Sequence, residues 1–296
     1  MLTWSSACHA TRQQGPYREH FQAHDSGSGH AAVGPGQLDL DAPVQQYVPY
    51  FPEKRWPVTT RQLGGHLGGV RHYRGAEFQS AKPYASVEEG IAIFAVDTLL
   101  HEPGSQFHYS SYAWNLISAV IEGASSQPFL EVMQAEVFGP LGLAETVADH
   151  ADSIIVQRVR FYERNNGGGF ANAPYVDNSY KWAGGGFLSS VENMVRFAHA
   201  HLDDAYLSDA ARVILFTSQT TTSEVRTGYG FGWEIADDAG YRYILHGGGL
   251  VVGSTRLLMQ SDTQVVVALH VNLTAFSTQG ITSRVASLLV HAAAND

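Results

Sequence analysis

A serine hydroxyl becomes a useful nucleophile only when a base lies within hydrogen-bond reach, and a lysine one helical turn after it can serve. The chain contains no such pair. Its lysines are Lys54, Lys82 and Lys181, and the residues three places before them are Phe51, Gln79 and Asn178. Other residues could still move protons. Phe107-His-Tyr109-Ser110-Ser111 sets a phenol and two hydroxyls at a helix start, and His246-Gly-Gly-Gly249 sets an imidazole and bare backbone after a strand. Taken singly, the first reads as a capping serine beside a packing aromatic, and the second as a flexible turn. His66 and His72 complete no Ser-His-Asp order and read as structural histidines. Ser26, Ser28 and Ser110 are the alternative nucleophiles the sequence offers, and Ser110 would point away from Tyr109 along a helix start.

The elements that would position these groups are legible. Val58–Leu63 starts a short helix. Ser86-Val-Glu-Glu89 reads as a capping box, opening a helix with Ile91, Phe94, Ala95, Thr98 and Leu99 on one side. A further helix carries Ala113, Leu116, Ile117, Val120 and Ile121 and stops at Gly123, and another runs from Pro128 to Phe138. Ser189-Ser-Val-Glu192 reads as a second capping box. The last third reads as strands at Tyr229–Ile235, Tyr241–Leu245, Ser254–Met259 and Gln264–Val271, with hairpins at Asp237–Gly240 and Gln260–Asp262. Gln279–Ala293 has Ile281, Val285, Leu288 and Leu289 at helical spacing. A helical middle, an antiparallel meander and a terminal helix make an α+β fold around one cleft.

Composition narrows the class. The 296 residues are 44% hydrophobic and 16% charged, with a formal charge of -10, which disfavours nucleic acid and anionic lipid as partners. No apolar run is long enough to span a bilayer. The one cysteine, Cys8, forms no internal disulfide and no thiolate metal cluster. Residues 1–36 are rich in His, Gly, Ser and Gln and lack a sustained period. They are expected to form a loosely ordered arm, in which His20 and His24 carry no metal. Residues 37–296 are expected to form the folded domain.

In order and spacing, the motifs resemble the serine β-lactamase-like hydrolases of the penicillin-binding-protein superfamily. Gly65-His-Leu-Gly-Gly-Val-Arg-His-Tyr73, Pro103–Ser111 and Pro174–Phe187 carry the resemblance, which spans roughly Gln37 to Val290. It implies a β-lactamase/DD-peptidase-like fold, an antiparallel sheet flanked by helices with a helical subdomain. It also implies acyl transfer to and from a serine on a peptide, ester or lactam, with no cofactor and no metal. Tyr109 would be the acid/base tyrosine, and Ser111 would stand where asparagine is frequent. His246-Gly247-Gly248 would be the strand-edge motif without its threonine, and Gly249 would offer an oxyanion N–H.

The Ser-x-x-Lys helix of that family would fall near Glu19, inside the arm. The N-terminal strands and nucleophile helix are therefore expected to be missing, through a damaged reading frame or in a non-catalytic relative that binds ligands or assembles on the same fold. Loss of a nucleophile costs roughly a million-fold in rate.

Overall fold

The computed structural model describes residues 30–33, 36–250 and 253–294. Cys8, Glu19, His20, His24, Ser26 and Ser28 lie outside the described residues. β1 (His30–Val33) and β2 (Gly36–Asp39) form an antiparallel hairpin in which His30 faces Asp39. Regular pairing thus crosses the change in texture at Gly36.

α1 (Thr60–Gly64) opens with a complete capping box: the Gln62 amide donates to the Thr59 hydroxyl, and the Thr59 amide donates to the Gln62 side chain at 3.0 Å. The helix expected through Leu99 is shorter. α2 (Val87–Ile91) is capped by Ser86, but the Glu89 carboxylate turns to the Ala85 amide, so the box is half made. Beyond Ile91 the Lys54 ammonium binds the carbonyls of Ala95 and Asp97, and the chain continues in turns. Ile91, Phe94 and Ala95 are buried as expected.

α3 (Ser111–Ser125) is the hub of the molecule. Its N-cap, Ser110, accepts from the Ala113 amide at 3.1 Å. Trp114, Leu116, Ile117, Ala119 and Val120 are buried on every side of the helix. The helix does not stop at Gly123 but runs on to Ser125. A Cβ at Gly123 would fall 1.9 Å from the Tyr47 carbonyl oxygen, so the glycine serves close packing and not termination.

α4 (Phe129–Met133) passes into a π turn over Gln134–Phe138. Then follow β3 (Val147–Ala148), β4 (Tyr162–Arg164), β5 (Phe170–Asn172), α5 (Trp182–Gly185), β6 (Phe187–Leu188), α6 (Val191–Leu202) and α7 (Asp209–Phe216). The cap of α6 lies one residue later than expected. Ser190 accepts from the Asn193 amide, while the Ser189 hydroxyl is taken up by Thr146 at 2.8 Å.

The main sheet comprises β7 (Glu234–Asp238), β8 (Tyr241–Leu250), β9 (Gly253–Gln260) and β10 (Val265–Val271), antiparallel in the order β10-β9-β8-β7. β7 starts five residues after the expected Tyr229, because Gly230 and Gly232 turn the chain and the Gly230 amide closes on the Trp233 carbonyl. The β7–β8 loop is Ala239-Gly240, both at positive φ, as a two-residue hairpin turn of this twist requires.

Alternation along the strands splits the core. Ile244, Leu257 and Met259 face the helices, whereas Leu245, Leu258 and Val267 face α8 (Gln279–Ala293). α8 sets Ala286 and Val290 on the sheet. Ile281, Val285, Leu288 and Leu289, which have the expected helical spacing, are on its exposed side. No described helix is long and apolar enough to cross a membrane.

Candidate active site

The irregular run Gly65–Tyr73 lies along the start of α3 and fixes it atom by atom. The His108 amide donates to the His66 carbonyl at 2.9 Å, the Ser110 amide to His66 Nδ1 at 3.2 Å, and the Ser111 amide to His72 Nδ1 at 3.1 Å. The Ser110 hydroxyl donates to the Arg71 carbonyl at 2.7 Å. The run is itself anchored, since the buried Arg71 guanidinium pairs with Glu77 at 2.6 Å and with Asp97. His66 adopts a left-handed backbone (φ 57°), uncommon for a residue with a side chain.

A ring nitrogen that accepts from an amide carries no proton, so both imidazoles are neutral with the proton on Nε2. Burial pushes His66 well below the usual histidine range, and His246, His72 and His108 push the same way. His72 is lowered too, by burial and then by His108.

Tyr109 sits between these rings, with centroids 4.3 Å from His66 and 5.7 Å from His72. Tyr109 retains 37% exposure, yet crowding of its phenol by protein raises the pKa to about 12. A bond with the Ser111 hydroxyl opposes the rise and the Glu234 carboxylate adds to it. Tyr109 is therefore a phenol, a proton donor, at neutral pH. Ser111 is buried within hydrogen-bond reach of the Tyr73 and Tyr109 phenols.

His246 reaches this group from the sheet. Tyr229 stands between, 4.7 Å from His66 and 6.5 Å from the His246 ring. His246-Gly247-Gly248-Gly249 is not a turn but the second half of β8, paired on one side with β9 from Leu257 to Ser254. Pairing with β7 ends at Leu245, so the other edge of Gly247–Gly249 carries no strand among the described residues. That edge offers unpaired backbone N–H and C=O groups of the kind that take an extended chain or an oxyanion. No group of three or more His, Cys, Asp or Glu among the described residues is placed to hold a metal ion.

The structure thus brings Tyr109, Ser111, His246 and Gly247–Gly249 into one region. Sequence reasoning missed Tyr229 and Tyr73, which join them, and Lys181. The Lys181 ammonium is buried 5.1 Å from the Tyr180 ring centre and 5.7 Å from that of Tyr73. Burial lowers its pKa to about 8, against the pull of Asp149 and Asp177. As a lysine without a serine three places before it, Lys181 gave no signal in the sequence.

A family model described as beta-lactamase matches residues 27–290. The chain belongs to the beta-lactamase family. The mitochondrial serine beta-lactamase-like protein LACTB of Homo sapiens is 29% identical over 329 residues, covering 78% of this chain and 60% of that protein. Penicillin-binding protein 4* of Bacillus subtilis is 25% identical, covering 77% of this chain and 53% of its own length. The chain thus spans about half the length of the curated relatives it matches. A D-stereospecific amidohydrolase from Streptomyces superposes with a TM-score of 0.73 at 20% identity, over 84% of this chain and 79% of that one. That likeness supports a beta-lactamase and penicillin-binding-protein fold, with mixed helices and antiparallel sheet, as the sequence implied.

Proposed function

We propose that this chain carries the proton-donating and substrate-edge side of a serine hydrolase site for amide, peptide or ester carbonyls. On its own 296 residues it binds such compounds without turning them over. The observation that carries the reading is the convergence of Tyr109 and His246, through His66 and Tyr229, beside the open edge of Gly247–Gly249. In acyl transfer the phenol of Tyr109 would protonate the leaving group, and a backbone N–H at Gly249 would meet the carbonyl oxygen as it gains charge. Ser111 would hold the phenol in place.

Two features oppose turnover. None of its lysines follows a serine by one helical turn, and the raised pKa of Tyr109 leaves it too weak an acid to sit ionised as a base at neutral pH. A relative named an amidohydrolase makes amides the first substrates to try.

The experiment pairs melting curves with intact-mass spectra, using D-phenylalanine amide, benzylpenicillin, p-nitrophenyl acetate and a fluorophosphonate probe. A melting shift with at least one of the first three, and no added mass with any, is the expected result. A covalent adduct overturns the absence of turnover. Unchanged melting with every compound overturns the binding site.

A further inference from the structure

We infer that His66 and His72 are positioning residues for Tyr109, acting as a pair of neutral hydrogen-bond acceptors clamped onto consecutive amides at the start of α3. The inference rests on the reading of Tyr109 as the proton donor of the site.

Ser110 and Ser111 are the cap and first residue of α3, and their amides would otherwise be among the orphan donors of a helix start. Side-chain oxygens usually meet such donors, most often from the cap itself. Here the Ser110 hydroxyl serves Ala113, and two imidazoles from outside the helix serve Ser110 and Ser111. The same two rings hold Tyr109 on both sides, His66 tilted by 40° at 4.3 Å and His72 edge-on at 5.7 Å. Each histidine therefore fixes the backbone flanking Tyr109 with one atom and its ring with the others. His66 extends the contact to Tyr229 and Phe107, tying the phenol to the wall that carries His246.

The acceptor role is specific to the neutral ring. A proton on Nδ1 would set N–H against N–H at the positive end of a helix, so an imidazolium cannot make either bond. The Ser111 hydroxyl is drawn into the same geometry, because its backbone is fixed by His72 while it bonds the Tyr73 and Tyr109 phenols. Asparagine can imitate Nδ1 with its side-chain oxygen. Phenylalanine keeps the ring and removes the acceptor.

The test compares His72→Phe with His72→Asn, and His66→Phe with His66→Asn, in the whole chain with a fluorinated tyrosine at position 109. Fluorine brings the phenol titration toward neutrality, where 19F NMR reads it without ligand. Circular dichroism first selects the variants that fold, and the half-buried His72 is the variant that keeps the experiment decisive. Removing the acceptor should free the phenol and lower its titration by about one to two pH units toward that of an exposed phenol. His72→Asn should hold it within about 0.3 units of the parent chain. A folded His72→Phe chain whose fluorotyrosine titrates like the parent overturns the inference, as does a His72→Asn chain that shifts as far as His72→Phe. Because no substrate is present, these outcomes are independent of whether the cleft binds amides or esters.

Discussion

The Arg256 guanidinium lies against the place where a side chain on Gly247 would begin. The two residues face each other across β9 and β8, and a Cβ built on Gly247 falls 3.0 Å from Arg256 Nη1. Arg256 also reaches Glu234 on β7 at 3.5 Å, so its guanidinium lies across the bare strand between them. The glycine at the place where the family resemblance implies a threonine is thus matched to a neighbour on the next strand.

Exchange of glycine for threonine within a strand ordinarily gains stability, by up to about 1 kcal/mol. With Arg256 in place, Gly247→Thr should instead lose up to about 1 kcal/mol, because the guanidinium must shift away from the new side chain. In an Arg256→Ala background the same change should be neutral or favourable. Urea unfolding of the four chains of this cycle reads the reversal directly.

A second reversal is expected at Gly123. Alanine is the better helix former by about 1 kcal/mol. The Tyr47 carbonyl at 1.9 Å from the new Cβ leaves no room, and both are backbone-bound. Gly123→Ala should cost about 3 kcal/mol or more, measured by chemical denaturation against Gly280→Ala, where a Cβ meets open space.

Acid should weaken the fold through histidines buried neutral. His201 is fully enclosed, and burial lowers its pKa to about 4, opposed by its bond to the Phe197 carbonyl. The unfolded chain takes up that proton near pH 6.5, so the unfolded state binds more protons between pH 6.5 and 4. Stability should therefore be full above pH 6.5 and fall as pH drops, by about 3 kcal/mol for this group, levelling below pH 4. His66, His72 and His270 are shifted the same way. A His201→Phe chain should show a shallower loss over that window in urea titrations.

Lys181 should act at the alkaline end. Its folded pKa of about 8 lies below the ordinary lysine value near 10.5, so burial of the charged amine opposes folding at neutral pH. That opposition is full below pH 8, fades as pH rises from 8 to 10.5, and is gone above 10.5, where both states have lost the proton. Lys181→Met should accordingly be more stable than the parent at pH 7, by up to about 3 kcal/mol, with the difference shrinking between pH 8 and 10.5. Paired denaturation curves at pH 7 and pH 9.5 measure it.

The sequence was most informative where local rules decide the outcome. The short helix expected from Val58 formed as α1, α8 ran from Gln279 to Ala293, and the hairpin at Asp237–Gly240 formed, because periods and positive-φ turns are local. It misled where a distant group intervened. Lys54 replaced the end of α2, Thr146 drew Ser189 away from α6, and Tyr47 set the purpose of Gly123. In the site, the motif residues Tyr109, Ser111 and His246 could be named from their order along the chain. Tyr229, Tyr73 and Lys181 could not, since their importance comes from neighbours dozens of positions away. The two histidines read in the sequence as structural, and that their nitrogens meet successive amides is a fact of three dimensions alone.

α3 touches α1, α2, α4, α5 and β2, and every residue from Ser111 to Ile121 is buried, with only Glu122–Ala124 toward solvent. A helix enclosed in that way gains almost nothing by forming before its surroundings, so it belongs to the cooperative unit that melts last. The hydroxyl of the site is attached at its first residue, Ser111, and the phenol at Tyr109, just ahead of its cap. The cleft therefore has no partly assembled form on the folding route, and its geometry should vanish in the same transition, at the same denaturant concentration, as the tertiary fold.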